Sequence, residues 1–239
     1  MSSNLTFRHE LKYYVPYPQY HTIRQRLKHL MTSDYHARED GDYHVRSLYF
    51  DDIYNKALFE KQAGISDREK YRIRIYNLKD DVVQVEKKIK KDKYIAKLKE
   101  TISRDTAENL ADGNFHPLKN SLGQQGVLAE IYEEMKNNML RPNVIVDYIR
   151  EAYTAEAGNV RITFDKSLRT GLHQLSLFRK DIPTVPAMDE DFIILEVKYD
   201  EFLPDYIKIA LQAKGIRREA ASKYVICRKY TKLNAWEDQ

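Results

Sequence analysis

Arginine and lysine at alternate positions of a β-strand put cationic donors on a single face, an arrangement suited to gripping phosphate or carboxylate oxygens. The sequence does this in Arg68-Glu69-Lys70-Tyr71-Arg72-Ile73-Arg74-Ile75-Tyr76 and again in Val82-Val83-Gln84-Val85-Glu86-Lys87-Lys88-Ile89-Lys90. Alternation sends Arg72 and Arg74 one way and Tyr71, Ile73 and Ile75 the other. Glu86, Lys88 and Lys90 likewise share a face whose reverse carries Val83, Val85 and Ile89. Asn77 to Asp81 between the two runs suits a hairpin connection. Cations facing cations across a strand pair repel unless something neutralises them, and the expected neutraliser is a polyanion.

The elements that would position these faces follow from hydrophobic period. Phe7 to Val15 reads as a strand carrying Arg8, Glu10 and Lys12, ended by Pro16 and Pro18. Tyr20, Ile23, Leu27, Leu30 and Met31 have helical spacing. Ser33 to Asp42 is polar and loop-like. Tyr43 to Phe50 reads as a strand carrying Arg46, followed by a short helix over Asn55 to Gln62. Lys93 to Thr101 is a strand with Lys97 and Lys99 on one face. Asp105 to Ala111 and Leu128 to Met139 read as helices, the second stopped at Arg141-Pro142. Val144 to Tyr153 and Val160 to Asp165 are strands, with Tyr148 and Arg150 aligned in the first and Arg161, Thr163 and Asp165 in the second. Leu168 to Phe178 suggests a further strand. Phe192 to Tyr199 is a strand interrupted by Glu196 and Lys198. Helices after Pro204 and from Ser222 to Lys232 complete the chain.

The polar faces of these strands hold twelve cations (Arg8, Lys12, Arg46, Arg72, Arg74, Lys88, Lys90, Lys97, Lys99, Arg150, Arg161 and Lys198) and four carboxylates (Glu10, Glu86, Asp165 and Glu196). That is an excess of eight where the whole 239-residue chain carries only +4. Alternation by itself fits the solvent face of an antiparallel sheet resting on helices. The three-to-one bias and the preference for Arg favour an enclosed surface instead. About eight such strands could curl into a closed antiparallel barrel whose charged face lines the bore.

Other chemistry is poorly represented. The seven histidines have no HExxH-like spacing, and no GxxxxGK[ST] or GxGxxG occurs, so phosphates would be held by side chains rather than by a glycine-rich backbone loop. Most of the eighteen tyrosines fall on apolar faces or helices, where they pack rather than stack on nucleic-acid bases. A single cysteine, Cys227, excludes a disulfide framework and points to a reducing compartment. The chain starts without a signal-like apolar core and has no membrane-length apolar run, which together imply a cytoplasmic protein.

Seven motifs resemble, in order and spacing, the catalytic domain of the vacuolar transporter chaperone (VTC) complex. They are Arg8-His9-Glu10-Leu11-Lys12-Tyr13, Ser47-Leu48-Tyr49-Phe50-Asp51-Asp52, Tyr71-Arg72-Ile73-Arg74, Val85-Glu86-Lys87-Lys88, Arg161-Ile162-Thr163-Phe164-Asp165, Leu195-Glu196-Val197-Lys198 and Ser222-Lys223-Tyr224. The resemblance runs from about Phe7 to Tyr230. That domain is a polyphosphate polymerase of the triphosphate tunnel metalloenzyme class. It implies an α+β fold, an antiparallel β-barrel tunnel of about eight strands with flanking helices, as one domain over residues 1–239. It also implies ATP-dependent transfer of a γ-phosphoryl group to a growing polyphosphate chain, with Mn²⁺ or Mg²⁺. On the matching motifs, Lys12, Arg72, Arg74, Lys88 and Lys223 would form the catalytic clamp. Arg150, Arg161, Ser222 and one of Lys97 and Lys99 would bind phosphate, joined by Arg46 and Lys198 from the charged faces, and Glu196 would hold the metal.

Two departures matter. The wider class's ExExK signature wants Glu where Arg8 stands, and Ala220 replaces an expected phosphate-binding Lys. The regulatory and membrane segments that surround this domain in larger relatives are also missing from the sequence, so export of product would need a membrane-protein partner. A tri- or polyphosphatase of the same fold, or a non-catalytic polyphosphate-binding module, is the alternative to the polymerase.

Overall fold

The computed structural model describes residues 6–34, 41–121, 123 and 125–232. Most of the expected Ser33 to Asp42 loop, His36 included, lies outside the described residues. The chain runs β1 (Arg8–Pro16), α1 (Tyr17–Leu30), β2 (Thr32–Ser33), β3 (Asp42–Asp51), α2 (Lys56–Gln62), β4 (Arg68–Tyr76), β5 (Lys79–Lys91) and β6 (Tyr94–Thr101). It continues with α3 (Arg104–Ala111), α4 (Val127–Asn137), β7 (Arg141–Ala155), β8 (Val160–Gly171), β9 (Thr184–Pro186), β10 (Phe192–Tyr199), α5 (Asp205–Ala210), β11 (Arg217–Arg218) and α6 (Lys223–Lys232).

Eight antiparallel strands close on themselves in the order β7-β3-β4-β5-β6-β1-β10-β8, and β8 pairs back to β7. The narrowest seam is β1 with β6, where only Arg8 opposite Ile95 and His9 opposite Tyr94 are paired. The short strands β2, β9 and β11 add to β7, β8 and β1. Closure leaves no edge within the ring and gives each strand an inner and an outer face.

The outer face is apolar and is covered by helices in two places. Ile73, Ile75, Val83 and Val85 pack with Ala107 and Leu110 of α3 and Ile131 and Met135 of α4. Ile162, Phe164, Leu195 and Val197 pack with Ile23 and Leu27 of α1 and Ile207 of α5. A third cluster lies at α6, where Tyr224 and Cys227 join Tyr49, Val144, Val146 and Ile194, inward-pointing residues of the barrel, with Ala57 and Leu58 of α2. The bore is therefore filled by α6 on one side and cationic on the other, rather than cationic throughout.

The β4–β5 hairpin turns on two residues, Asn77 and Leu78, both with positive φ (52° and 54°), as the twist of a tight hairpin requires. Its turn is thus shorter than the expected five-residue connection. The segment from Leu168 does not start a new strand: β8 runs on unbroken to Gly171, against a β7 that carries an irregularity between Asp147 and Ile149.

One expected face is reversed. In β3 the side chains of Ser47 and Tyr49 turn inward to meet Arg74 and Arg72. Arg46 therefore points outward, away from the bore it was expected to line. It is buried, makes three hydrogen bonds to Asp147 (2.9, 3.1 and 2.8 Å) and caps the carbonyls of Leu177 and Arg179. A one-residue change of phase transfers a whole strand face, and Val45-Arg46-Ser47-Leu48 has too little alternation to fix that phase from sequence. Removing one member of a buried ion pair leaves the other unpaired. Arg46→Ala should therefore lower the unfolding free energy by about 3 kcal/mol in denaturant titrations, while the folded fraction binds tripolyphosphate as tightly as before.

Candidate functional site

Paired registers stack the inward positions. Tyr49 lies opposite Arg72, Arg72 opposite Glu86, Lys88 opposite Lys97, Glu10 opposite Lys198, Lys12 opposite Glu196, and Arg150 opposite Asp165. These residues come from all eight strands of the ring, and α6 contributes Lys223. They enclose a cavity of about 410 Å³ lined by thirteen Lys and Arg side chains and three carboxylates, Glu10, Glu196 and Glu219.

Buried carboxylates bridge the cations in the middle of the barrel. Glu196 Oε1 accepts from Lys12 Nζ (2.9 Å) and Lys223 Nζ (2.6 Å), and its Oε2 lies 3.6 Å from Lys198 and 3.9 Å from Arg150. Asp165 accepts two bonds from Arg150 (2.6 and 2.8 Å) and pairs with Lys223 at 2.5 Å. Glu10 pairs with Lys88 (2.9 Å), Lys198 (3.4 Å) and Lys12 (3.6 Å). Glu86, fully buried, holds Arg72 (2.5 Å) and Lys97 (2.7 Å), with Arg74 at 3.9 Å. Two tyrosines complete the inner wall: Tyr49 Oη accepts from Arg72, and Tyr148 Oη accepts from Arg74.

Burial would by itself raise the carboxyls, but the surrounding cations outweigh it and hold Glu10, Glu86, Asp165 and Glu196 below the usual range. They stay ionised. The lysines divide. Lys12 and Lys223 are buried too, yet are pushed up by their carboxylates. Lys88, where burial and the fields of Lys12 and Lys198 outweigh Glu10, is pushed down to about 7. Lys70, crowded by Arg68, Lys88 and Lys61 as well as buried, also falls to about 7. Lys97 falls to about 8, because burial and the nearby Arg72 and Arg74 exceed the pull of Glu86. Cations this crowded in one cavity create a strong positive potential, which suits multivalent anions.

The family model for the VTC domain matches residues 7–232. The chain belongs to the VTC domain family. No curated protein shows significant sequence similarity to it. Among solved structures, HpAC1 from Hippeastrum, described as an adenylyl cyclase candidate with a dominant triphosphatase activity, superposes with a TM-score of 0.54. The identity is 13%, over 93% of this chain and 96% of that one. A Bacillus halodurans protein described as an adenylate cyclase candidate gives a TM-score of 0.49 at 12% identity, covering 87% of each chain. At such identities the likeness concerns the fold alone.

In this VTC domain the barrel brings together Lys12, Arg72, Arg74, Lys88, Arg150, Lys198, Ser222, Lys223 and Glu196, all of which line the cavity. Lys97 joins only through Glu86: like Lys99, its neighbour on the same face, it is exposed and does not line the cavity. Arg161 lies at the other end of the barrel, paired with Asp34 and Tyr43. Arg8, the departure from ExExK, pairs with Asp200 at 2.5 Å and is not part of the cavity lining. Ala220 does line the cavity, where a longer side chain would have added a cation. Sequence reading missed Arg68 and Lys70 as site residues, although they share the phase of Arg72 and Arg74. It also missed Lys61 on α2 and Arg218 on β11, which no strand pattern could reveal.

Among the described residues, no group of three or more His, Cys, Asp or Glu converges as a metal site. Glu10 and Glu196, sharing Lys12 and Lys198, are the available pair. Two carboxylates without further protein ligands would fit a divalent cation that takes its remaining ligands from outside the protein.

A bound polyanion raises the lysines that crowding has depressed. Polyphosphate binding above pH 7 should therefore take up protons at Lys70 and Lys97, and affinity should fall as pH rises from 7 to about 9, as the free protein sheds those charges. Titration calorimetry in buffers of different ionisation enthalpy measures the uptake; none at pH 8 would show these lysines already charged.

Proposed function

We propose that this protein is a metal-dependent polyphosphate polymerase that uses ATP, with the barrel's cationic cavity as its active site. The observation that carries this reading is the closed ring of Arg and Lys, from strands far apart in sequence, whose charge exceeds that of its carboxylates. Arg72, Arg74, Lys88 and Arg150 bind the phosphate oxygens, with Ser222 and Lys198 beside them. Lys12 and Lys223 stand at the reacting phosphoryl group, where charge shifts most. Lys97 and Arg161 extend the cationic path toward the far end. Glu196, with Glu10 adjacent, would hold a divalent ion, which when bound would add positive charge beside the phosphates.

Phosphoryl transfer needs little covalent chemistry from a protein. A terminal oxygen of the acceptor chain bonds to the γ-phosphorus as the bond to the β–γ bridging oxygen breaks, and ADP leaves. The protein aligns the two anions, which repel each other in water, and offsets their charge. A general base is unnecessary, since the attacking phosphate oxygen is already ionised at neutral pH. The inward carboxylates are few and each is already shared by two or more cations, which disfavours the hydrolytic alternative because that chemistry has to activate a water. The proposed partners are ATP and inorganic polyphosphate, not nucleic acid, in the cytoplasm, with a membrane protein accepting any exported product. Among the described residues no helix is long and apolar enough to cross a membrane.

Incubation with ATP and Mn²⁺ separates the readings: long-chain polyphosphate for a polymerase, free phosphate alone for a hydrolase, neither for a binding module. In the same assay Glu196→Gln should reduce turnover by about 100-fold or more. Its tripolyphosphate binding should be retained or strengthened, because a negative charge has left the cavity. Unchanged turnover would remove Glu196 from the metal site.

A further inference from the structure

Most lysines of the cavity are tied to a carboxylate. Lys12 and Lys223 meet Glu196, Lys88 meets Glu10, and Lys198 lies 3.4 Å from Glu10. Lys70 is not tied in this way: among the described residues no carboxylate lies within ion-pair distance of it, and its Nζ rests 4.5 Å from the ring centre of Tyr224. The charged groups that face it are mostly cations, Arg68 on its own strand, Lys88 directly opposite on β5 and Lys61 on α2. Opposite charge comes from Asp51, which is already engaged by Tyr224 and the first turn of α2. Lys61 and Lys90 also lack a carboxylate, but Lys61 is less deeply buried and Lys90 donates to the carbonyl of Asp92.

Lys70 is also within reach of small molecules. It lines the cavity of the barrel and a second cavity of about 460 Å³ bounded by α2, the end of α4 and the rim of β4 and β5, and it is only half-buried. An unpaired amine ringed by cations suits one class of reagent. An acyl phosphate joins an electrophilic carbonyl carbon through oxygen to an anionic phosphate, so the cations that draw in its phosphate bring its carbonyl to the amine.

We propose that Lys70 is a site of acylation by acyl phosphates, and that the acyl group weakens the hold of the cavity on phosphoanions by removing one of its cations. The Nζ lone pair bonds to the carbonyl carbon, the bond from that carbon to the bridging oxygen breaks, inorganic phosphate leaves with those electrons, and Nζ gives a proton to water, leaving an amide. No oxidant or reductant takes part. The loss of affinity rests on the polyphosphate reading above; the acylation does not. A bound polyanion covers the amine and favours its protonated form, so an occupied cavity is protected and an empty one is not.

The test treats the full chain with acetyl phosphate at about pH 8 and follows each lysine by peptide mass spectrometry. With Lys70 pushed down to about 7, roughly nine-tenths of it is neutral at that pH, against less than about one-hundredth of an ordinary lysine. Lys70 should therefore be acetylated about tenfold or more faster than the exposed Lys119 and Lys180. Excess tripolyphosphate should slow the reaction of Lys70 about tenfold and leave Lys119 and Lys180 unchanged. The acetylated protein should bind tripolyphosphate about threefold or more weakly than the untreated protein, whereas Lys70→Arg, which offers no amine there, should bind equally before and after treatment. Acetylation of Lys70 no faster than that of Lys119, no protection by tripolyphosphate that calorimetry shows to be bound, or the same loss of affinity in treated Lys70→Arg would each overturn the proposal. Selective acetylation of Lys70 in a protein that does not bind tripolyphosphate would instead remove the polyphosphate reading and leave the acylation site standing.

Discussion

Charge confined where water is scarce is the constraint on which the rest of this structure depends. An isolated cation buried in a protein loses several kcal/mol of hydration, recovered only through close partners. Four inward carboxylates, Glu10, Glu86, Asp165 and Glu196, supply those partners, and each is divided among two or more cations. Sharing leaves a positive remainder by construction. Replacing cations and carboxylates together by packed apolar residues would favour stability, so the arrangement has to be explained by what it binds. Stability comes instead from the outer face, where α1, α3, α4 and α5 cover the apolar sides of the same strands.

Arginine and lysine divide the work inside the barrel. Arg72, Arg74 and Arg150 keep their protons despite burial, held up by Glu86, Asp165 and two tyrosine hydroxyls, so they form a fixed frame of planar donors. Lysines vary with their neighbours. Lys12 and Lys223 are held charged beside Glu196, whereas Lys70 and Lys88 are close to losing their protons at neutral pH. The arginines thus carry a fixed charge in the cavity, whereas the charge of Lys70 and Lys88 depends on their neighbours.

Much of this was legible in the sequence because a strand has a period of two and the barrel keeps it. Arg72 and Arg74, Glu86 and Lys88, Glu10 and Lys12, and Glu196 and Lys198 all face as alternation assigns them. The period failed at Arg46, where Val45 and Leu48 gave no phase and Ser47 and Tyr49 turned out to be the inward residues. Nor does alternation say which cation meets which carboxylate. The pairing of Lys223 with Asp165 and Glu196 joins residues distant in sequence and depends on where α6 enters the barrel. Lys61 was illegible for the same reason, since a lysine on a short helix is ordinarily solvated and only tertiary placement turns it toward the cavity.

That placement traces to one buried side chain. Asp51, at the last position of β3, accepts from the backbone N–H groups of Asp52 and Ala57 through one oxygen (3.0 and 2.9 Å) and from Leu58 N–H (3.2 Å) and the Tyr224 hydroxyl through the other. A carboxylate at the first turn of α2 satisfies donors the helix cannot satisfy itself and complements its dipole. By also holding Tyr224, it ties α2 to α6. Arg228 of α6 reinforces the link by donating to Asn55, the residue before α2. Lys61 and Lys223 are therefore positioned by a shared anchor, although they lie on separate helices. Tyr224 adds a third member, because its ring rests against Tyr49, 5.3 Å between centroids, and lies beneath Lys70. The central clamp and the mouth of the cavity are thus one mechanical unit: a displacement of α6 that moved Lys223 from Glu196 would also move the wall on which Lys70 rests.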